Sequence, residues 1–318
     1  MTTATATVST TTAAATSARP ADLSGLYLRL ICAPAIWGGT FIAGHIVSAQ
    51  LPPATAAFVR FVFAVLTLLV VLHFSQGLRA LTQITRRQLL GTMALGATGI
   101  FAYNLLFFGA LAVLPAGRTS LIVALNPVVT ILVAAIFLGE RLSATRWLGV
   151  ALALLGVWIV VTHGDLSQLM QSVGKGELSM LGAVCAWAAY TLLGRRVLQG
   201  LSPLLTTLWA ALWGTLFLAL RALRDIPAVH AESFTASVWA SLAFLGVLGT
   251  AVAFVWYYEG VSKLGAARTV VFNNLVPVFA VLLAWLVLSE PVSASVLVGG
   301  GMAVTGVFLV NRVARPQS

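Results

Sequence analysis

Residues 125–161 read LNPVVTILVAAIFLGERLSATRWLGVALALLGVWIVV, residues 275–310 read LVPVFAVLLAWLVLSEPVSASVLVGGGMAVTGVFLV, and these two stretches decide the fold. At an offset of 150 residues, positions 115–160 and 265–310 are identical at 17 of 46 places without a gap. Shared apolar composition alone would match roughly one position in ten. We infer that the chain contains an internal duplication.

The repeat extends on both sides of these stretches. Identical residues at the same offset include tryptophan, proline, arginine, glutamate and glycine, which are costly to place by chance in apolar segments. The matched pairs are Trp37 with Trp187, Pro53 with Pro203, Arg118 with Arg268, Pro127 with Pro277, Glu140 with Glu290, Gly149 with Gly299 and Gly156 with Gly306.

Composition places the duplicated chain in a lipid bilayer. Of 318 residues, 60% are hydrophobic and 8% are charged, and the mean hydropathy is +1.01, whereas soluble domains carry about a quarter charged residues. Barrel strands would alternate polar and apolar residues, so we predict an all-α integral membrane protein. The predicted spans are 28–47, 54–73, 89–112, 117–138, 144–161, 178–194, 203–220, 237–259, 267–288 and 293–311.

Ten transmembrane helices in two repeats leave five in each, and an odd number forces the repeats to be inverted relative to each other. With the N-terminus inside, twelve basic residues fall on the cytoplasmic side and three on the other, so we expect both termini to be cytoplasmic. The predicted segments are a disordered cytoplasmic tail (1–25), the first five-helix repeat (26–162), a linker loop (163–176), the second repeat (177–312) and a short tail (313–318).

The first span reads APAIWGGTFIAGHIV over 33–47, and each half places a proline in its fourth span, then a glutamate, then a glycine-spaced closing helix. In these features the chain resembles the EamA family of the drug/metabolite transporter superfamily, and within it the bacterial exporters of aromatic amino acids. The resemblance implies a central cavity lined by the third, fourth, eighth and ninth helices. It also implies that the first and sixth helices act as movable walls.

Pro127 and Pro277 are the predicted hinge or gate residues. A proline inside a helix leaves the carbonyl four residues earlier without its donor, here those of Val123 and Asn273. In a bilayer such a carbonyl must meet water, a side chain or a substrate. A static packing kink is the alternative, since prolines are common in membrane helices.

Amides and aromatic rings are the predicted substrate-binding groups. Buried amides need hydrogen-bond partners, so they should face the bundle interior and either bind substrate or bridge helices. Aromatic rings suit bulky, partly apolar molecules, although each ring could instead face lipid. The candidates are Asn104, Asn126, Asn273 and Asn274 among the amides, and Trp37, Tyr103, Phe107, Trp187, Tyr190, Trp256 and Tyr257 among the aromatic residues.

Arg60 is the one basic residue well inside a predicted span. Because a buried charge in a membrane is expensive, its guanidinium should face a cavity, where it could receive a substrate carboxylate. Extension of the side chain to the nearby surface is the alternative. Arg118 and Arg268, which begin the fourth and ninth spans, are expected to be headgroup contacts or gate-side pairs.

No span carries a carboxylate at its centre, which disfavours antiport of cationic drugs. We expect Glu140 and Glu290 to fix the turn before each closing helix. The scattered histidines and acids do not favour a membrane enzyme or a metal site, and no nucleotide-binding loop of the GxxxxGK[ST] type is present. We therefore expect no cofactor, no nucleic-acid partner and no ATP-driven step.

These observations predict a secondary transporter of the bacterial inner membrane that exports small metabolites, amino acids including aromatic ones being the leading class. Export of other drug-like or metabolite solutes, and a non-transporting membrane scaffold, are the alternatives. The expected partners are a small-molecule substrate and the lipid bilayer. Small residues one turn apart on the closing helices suit packing within the chain or in a homodimer; they are Gly149, Ala153, Gly156, Gly299, Ala303 and Gly306.

Overall fold

The computed structural model describes residues 20–138, 142–163, 174–197, 201–264 and 269–311. Every regular element within these ranges is a helix, in agreement with the predicted all-α class. Glu140 and Arg268 lie outside the described residues, and so do most of the two predicted tails and the middle of the predicted linker loop.

Ten helical elements follow one another along the described chain. They are α1 (Pro20–Ser48), α2 (Pro53–Ser75), α3 (Arg86–Leu111), α4 (Ala116–Val123 and Asn126–Leu138), α5 (Ala144–Val161), α6 (Lys175–Val197), α7 (Pro203–Ala222), α8 (Ala236–Ala243, Phe244–Val252 and Ala253–Leu264), α9 (Val276–Leu288, after a 3₁₀ turn at Val270–Leu275) and α10 (Ala294–Asn311). Short 3₁₀ helices at Leu78–Thr82, Leu223–Ala228 and Ala231–Ser233 lie in the connections.

Nine of these helices in the described ranges, α1 to α8 and α10, are long and apolar enough to cross a membrane. The apolar stretch of α9, Phe272–Leu288, is shorter. At about 1.5 Å per residue it spans roughly 25 Å, against about 30 Å for a bilayer core. The described helices therefore make a multi-pass membrane protein, and a tenth crossing at α9 stays a prediction.

Two predicted boundaries differ from the structure. Helix α1 begins at Pro20, so residues 20–25 of the predicted disordered tail are helical. A proline fits the first turn of a helix because its missing N–H would have no partner there. Helix α6 begins at Lys175, two residues inside the predicted linker.

Repeat-matched residues begin equivalent helices in the two halves. Pro53 and Pro203 occupy the first turns of α2 and α7, where their fixed backbone angle suits a helix start. The hydroxyl of Ser143 accepts the N–H of Arg146 at the start of α5, and that of Ser293 accepts the N–H of Val296 at the start of α10. The duplication therefore preserves the local signals that position the helices.

The closing helices α5 and α10 pack against each other along their glycines. A Cβ atom on Gly149 would lie 2.7 Å from the carbonyl oxygen of Gly306, and one on Gly299 would lie 2.5 Å from that of Gly156. The first glycine of α5 thus meets the last of α10, so the two helices are antiparallel. Because this stripe of small residues is occupied within the chain, a homodimer would have to use another surface.

Helices α3 and α8 each contain a π-helical segment, Gly96–Ala102 in α3 and Phe244–Val252 in α8. At the first of these segments, a Cβ on Gly96 would lie 2.7 Å from the carbonyl oxygen of Ala210 in α7. At the second, a Cβ on Gly246 would lie 2.6 Å from that of Arg60 in α2. Each half therefore packs a π-helical segment against the second helix of the other half.

Side-chain contacts define two ends of the bundle. We call the end at which α1 ends and α2 begins face A, and the opposite end face B. At face A, Thr55 donates a hydrogen bond to Asp225, at 3.5 Å. At face B, Arg29 of α1 and Glu259 of α8 form an ion pair at 2.6 Å.

Candidate functional site

A cavity of about 730 Å³ lies between the two halves. Both halves contribute walls, and residues from all ten helical elements line it. All the predicted binding and hinge residues except Trp256 line this cavity: Trp37, Arg60, Tyr103, Asn104, Phe107, Asn126, Pro127, Trp187, Tyr190, Tyr257, Asn273, Asn274 and Pro277.

Arg60 points toward Asn104 across the cavity wall. Its Nη1 donates to Oδ1 of Asn104 at 2.9 Å, and Nδ2 of Asn104 in turn donates to the carbonyl of Ile100 at 2.8 Å. Asn104 and Nε of Arg60 are both buried. The amide of Asn104 has hydrogen-bond partners, but Nε of Arg60 has none in the described structure. The π-helical segment therefore orients the amide, and the amide holds the guanidinium of Arg60 at the cavity wall.

One wall of the cavity is a continuous row of aromatic rings. The ring centroids of Tyr103 and Trp187 are 5.2 Å apart, and those of Trp187 and Tyr190 are also 5.2 Å apart. Tyr103 stacks on Phe107 with centroids at 5.7 Å and ring planes 17° apart. These rings join α3 of the first half to α6 of the second, so a flat apolar ligand would contact both halves at once.

Trp37 forms a second aromatic group with α8. Its ring lies 5.5 Å from that of Phe254 and 5.7 Å from that of Tyr257. The indole Nε1 donates to the carbonyl of Gly249 at 3.0 Å, inside the π-helical segment. The polar atom of Trp37 is thereby satisfied by the protein, so this residue offers a ligand chiefly its apolar ring.

Both predicted hinge prolines lie directly after an interruption of their helix. The first segment of α4 ends at Val123 and the second begins at Asn126, next to Pro127. Before Pro277, the chain forms a 3₁₀ turn in place of an α-helix. Missing α-helical hydrogen bonds at these two places are the expected consequence of proline.

Three cavity amides near the prolines have buried atoms without a partner in the described structure. These atoms are Oδ1 of Asn126, Oδ1 of Asn273 and Nδ2 of Asn274. A buried polar atom without a partner costs free energy, which a bound ligand or water can offset. All three residues line the cavity, while the unpartnered atoms themselves lie within its wall.

Trp256 is half-buried and does not line the cavity. It precedes Tyr257 on α8, and consecutive residues of an α-helix point about 100° apart, so one of the two rings faces away. Several hydroxyls that no sequence pattern predicts also line the cavity, among them those of Thr40, Thr130, Thr191 and Thr207. Thr40 and Thr191 donate to the carbonyls of Trp37 and Trp187 in their own helices, as threonines of membrane helices commonly do, so nothing in the sequence marks them as cavity residues.

The lining residues extend toward face B. Arg60, Asn104 and Ser120 lie in the half of the bundle nearer face A, whereas Arg146 at the start of α5 and Asn311 at the end of α10 lie at face B. Arg60 and Arg146 are the charged residues among those that line the cavity in the described structure, and no aspartate, glutamate, lysine or histidine joins them there.

Two contacts, which we call the face A contacts, tie the helices together at face A. Glu290 accepts hydrogen bonds from the backbone N–H groups of Ala116 at 2.8 Å and Gly117 at 3.0 Å, so its carboxylate caps α4. Arg118 and Glu177, both largely buried, form an ion pair at 2.8 Å. Glu290, which we expect to fix the turn before its closing helix, thus also reaches across to α4.

At face B, Glu259 of α8 lies between two basic residues. It pairs with Lys263 at 2.9 Å and with Arg29 at 2.6 Å. These hydrogen-bonded cations, Lys263 first and then Arg29, hold the pKa of Glu259 below its usual range. Because this group lies beyond the span that ends at Tyr257 and is partly exposed, it is a surface contact between α1 and α8.

Comparison with known proteins agrees with this architecture. The EamA-like transporter family matches the chain twice, over residues 24–162 and 174–312. A solved structure described only as the crystal structure of a protein superposes with a TM-score of 0.61 at 21% identity, covering 90% of this chain and 96% of that one. At this identity the likeness shows a shared fold.

Two relatives carry informative names. "Uncharacterized transporter YyaM" of Bacillus subtilis is 28% identical over 291 residues, which is 91% of this chain and 94% of that protein. "Probable terminal-alkyne amino-acid exporter" of Streptantibioticus cattleyicolor is 34% identical over 220 residues, which is 68% of this chain and 71% of that protein.

Proposed function

The chain belongs to the EamA-like transporter family, and on that premise we propose that it exports amino acids, aromatic ones among them, across the bacterial inner membrane. Transport is secondary and proceeds by alternating access. The observation that carries the proposal is the cavity of about 730 Å³ between the halves, walled by aromatic rings and unpaired amides. Sites for small molecules have this size and this mixture of apolar walls and few polar groups.

The proposed architecture is a pair of inverted five-helix repeats. The antiparallel packing of α5 on α10 supports it, because equivalent helices of inverted repeats must run in opposite directions. Gly96 of α3 contacts α7, and Gly246 of the equivalent helix α8 contacts α2. Two repeats related by a twofold axis should form equivalent contacts of this kind. Labelling Leu142→Cys and Val292→Cys, which are equivalent in the repeats, should occur from opposite sides of the membrane. Labelling of both from one side would overturn the inversion.

The proposed orientation places face B in the cytoplasm, together with both termini. The excess of basic residues on that side supports it. The cavity extends to the face B ends of α5 and α10, while the face A contacts hold the other end together. This arrangement corresponds to the cytoplasm-facing state, from which an exporter takes up its substrate.

The amino-acid substrate class draws on the relative named as a probable terminal-alkyne amino-acid exporter. The groups that line the cavity also suit such molecules: Arg60 with a carboxylate, amide oxygens with nitrogen donors, and aromatic rings with the side chain. The face A contacts and the ion pair of Arg29 with Glu259 at face B each join different helices and can break and re-form as the halves move. Neither a static scaffold nor an enzyme needs this combination.

Efflux from liposomes tests the proposal. The purified chain, reconstituted in vesicles loaded with a labelled amino-acid panel, should release phenylalanine or tryptophan faster than protein-free vesicles, with or without a pH gradient. Trp187→Ala, in the cavity wall, should slow this efflux at least about tenfold, since it removes a large stacking surface. Trp239→Ala, at an exposed position, is the matched control and should stay within about twofold. No release of any amino acid would refute the proposal.

A further inference from the structure

The charges at the cavity are of one sign. Arg60 and Arg146 line it, and no acidic side chain of the described residues does. Charges in a poorly solvated site interact strongly because water screens them little. The cavity therefore favours a ligand with a negative charge and gives no compensating charge to a cation.

Arg60 is available to such a ligand. It takes part in no ion pair of the described chain, and its hydrogen bond to Asn104 uses Nη1 alone. A guanidinium has five N–H donors in a planar fork that fits a carboxylate, so donors remain after this bond. A buried charge without a counter-ion is strained electrostatically, and a bound carboxylate would relieve that strain.

The nitrogen of an amino acid meets a different environment. Asn126 and Asn273 are the cavity-lining residues with an unpartnered acceptor in the described structure, and their amide oxygens are neutral. A neutral amide oxygen can accept a hydrogen bond from a charged ammonium group and also from the N–H of an uncharged amide. The cavity thus supplies a charged partner for a carboxylate but only neutral partners for nitrogen.

Resting on the proposed function, we propose that the substrates are aromatic or similarly amphipathic carboxylates, bound through Arg60, whose nitrogen need not be charged. The aromatic row of Tyr103, Trp187 and Tyr190 holds the apolar body. N-acylated amino acids and aromatic carboxylic acids then belong to the same substrate class as the free amino acids. Amino-acid amides and aromatic amines do not.

Calorimetric titration of the purified full-length chain tests this with three probes: phenylalanine, N-acetylphenylalanine and phenylalaninamide. N-acetylphenylalanine should bind within threefold of phenylalanine or more tightly, and phenylalaninamide at least about tenfold more weakly, a difference of about 1.4 kcal/mol. Arg60→Gln should reduce that discrimination to less than about threefold. Arg86→Gln, at an exposed position outside the cavity, is the matched control and should keep it.

The outcomes separate the two proposals. Phenylalaninamide binding as tightly as N-acetylphenylalanine would overturn the carboxylate selection and leave amino-acid export standing. Binding and efflux of N-acetylphenylalanine without either for any free amino acid would refute amino-acid export and support the selection. If none of the three probes binds, the carboxylate selection is refuted. The ligand comparison uses the unaltered protein, so misfolding of Arg60→Gln would not prevent the test.

Discussion

Replacing Glu290 by glutamine should loosen face A. The carboxylate of Glu290, which follows α9, accepts the backbone N–H groups of Ala116 and Gly117 at the first turn of α4. Opening the cavity toward face A requires these helices to part, because α4 lines the cavity from Ser120 onward. In the proposed alternating access, the strength of this cap therefore contributes directly to the equilibrium between the state open at face B and the state open at face A.

The size of the effect follows from the two hydrogen bonds. Hydrogen bonds to a charged group contribute about 1.5–3 kcal/mol and neutral ones about 0.5–1.5 kcal/mol. Glutamine keeps one acceptor oxygen and loses the charge that favours a helix N-terminus. Because Glu290 is only partly buried, we expect a shift of about 1–2 kcal/mol, which raises the population open at face A by about 5- to 30-fold.

Cysteine labelling measures this population. Ser120→Cys is placed in a chain whose own cysteines, Cys32 and Cys185, are replaced by serine. Ser120 is 1% exposed and lines the cavity near face A, so a membrane-impermeant maleimide should reach it from that side only when the face opens. Adding Glu290→Gln should raise the labelling rate by the same factor of about 5 to 30.

Two controls decide the result. Glu232→Gln makes the same chemical change at an exposed position of a connection at face A and should leave the labelling rate unchanged. Equal labelling of all variants after denaturation checks that the cysteine is equally reactive. An unchanged rate with Glu290→Gln, or an equal rise with Glu232→Gln, would refute the role of the cap in holding face A.

Three further predictions concern stability. Gly149→Leu should lower the free energy of unfolding in detergent by about 1–3 kcal/mol, because a Cβ at this position meets the backbone of α10. Gly109→Leu, at a position with open space, is the control and should lower it by less than about 1 kcal/mol. Equal losses in the two variants would contradict the packing of α5 on α10. Arg118→Gln should lower the free energy of unfolding by about 3 kcal/mol, because it leaves Glu177 without its charged partner. Combining it with Glu177→Gln should recover at least half of that loss. If the loss in the double variant equals the sum of the losses in the two single variants, the ion pair does not stabilise the fold. The pKa of Glu259 is lowered in the folded state, so its contribution to folding stability is fully present above the usual carboxyl pKa and is lost as pH falls through the lowered pKa. The Tm difference between the wild type and Glu259→Gln should therefore shrink below about pH 4. A Tm difference that stays constant with pH would refute this prediction.

Local signals in the sequence were sufficient to predict the helices. Apolar runs of membrane length, the matched prolines at the starts of α2 and α7, and the matched serine caps of α5 and α10 all act within one or two turns. Such interactions need no partner helix, so they can be read along the chain. Helix α1 begins at Pro20, before the predicted span at residue 28, because its polar first turn lies outside the apolar run on which that span is based.

The predicted binding residues rest on a coarser argument. Polar and aromatic residues in the middle of apolar spans should face the interior, and this places Arg60, Asn104 and Asn273 at the cavity. The same argument fails for Trp256, because a ring at that depth is equally stable against lipid. Assigning these residues to substrate binding stays a prediction that the transport experiments test.

By itself, the sequence determined that this chain is a bundle of membrane-length helices built from a duplicated unit, since hydropathy and repetition depend on residue order alone. The partners of the charged and polar groups follow instead from how the helices pack: Glu290 bonds to the backbone of α4, Arg118 to Glu177 and Arg60 to Asn104. These pairs join residues between 44 and 174 positions apart. Their distances depend on how the helices pack, and the packing depends on close approaches between glycines that no single segment specifies.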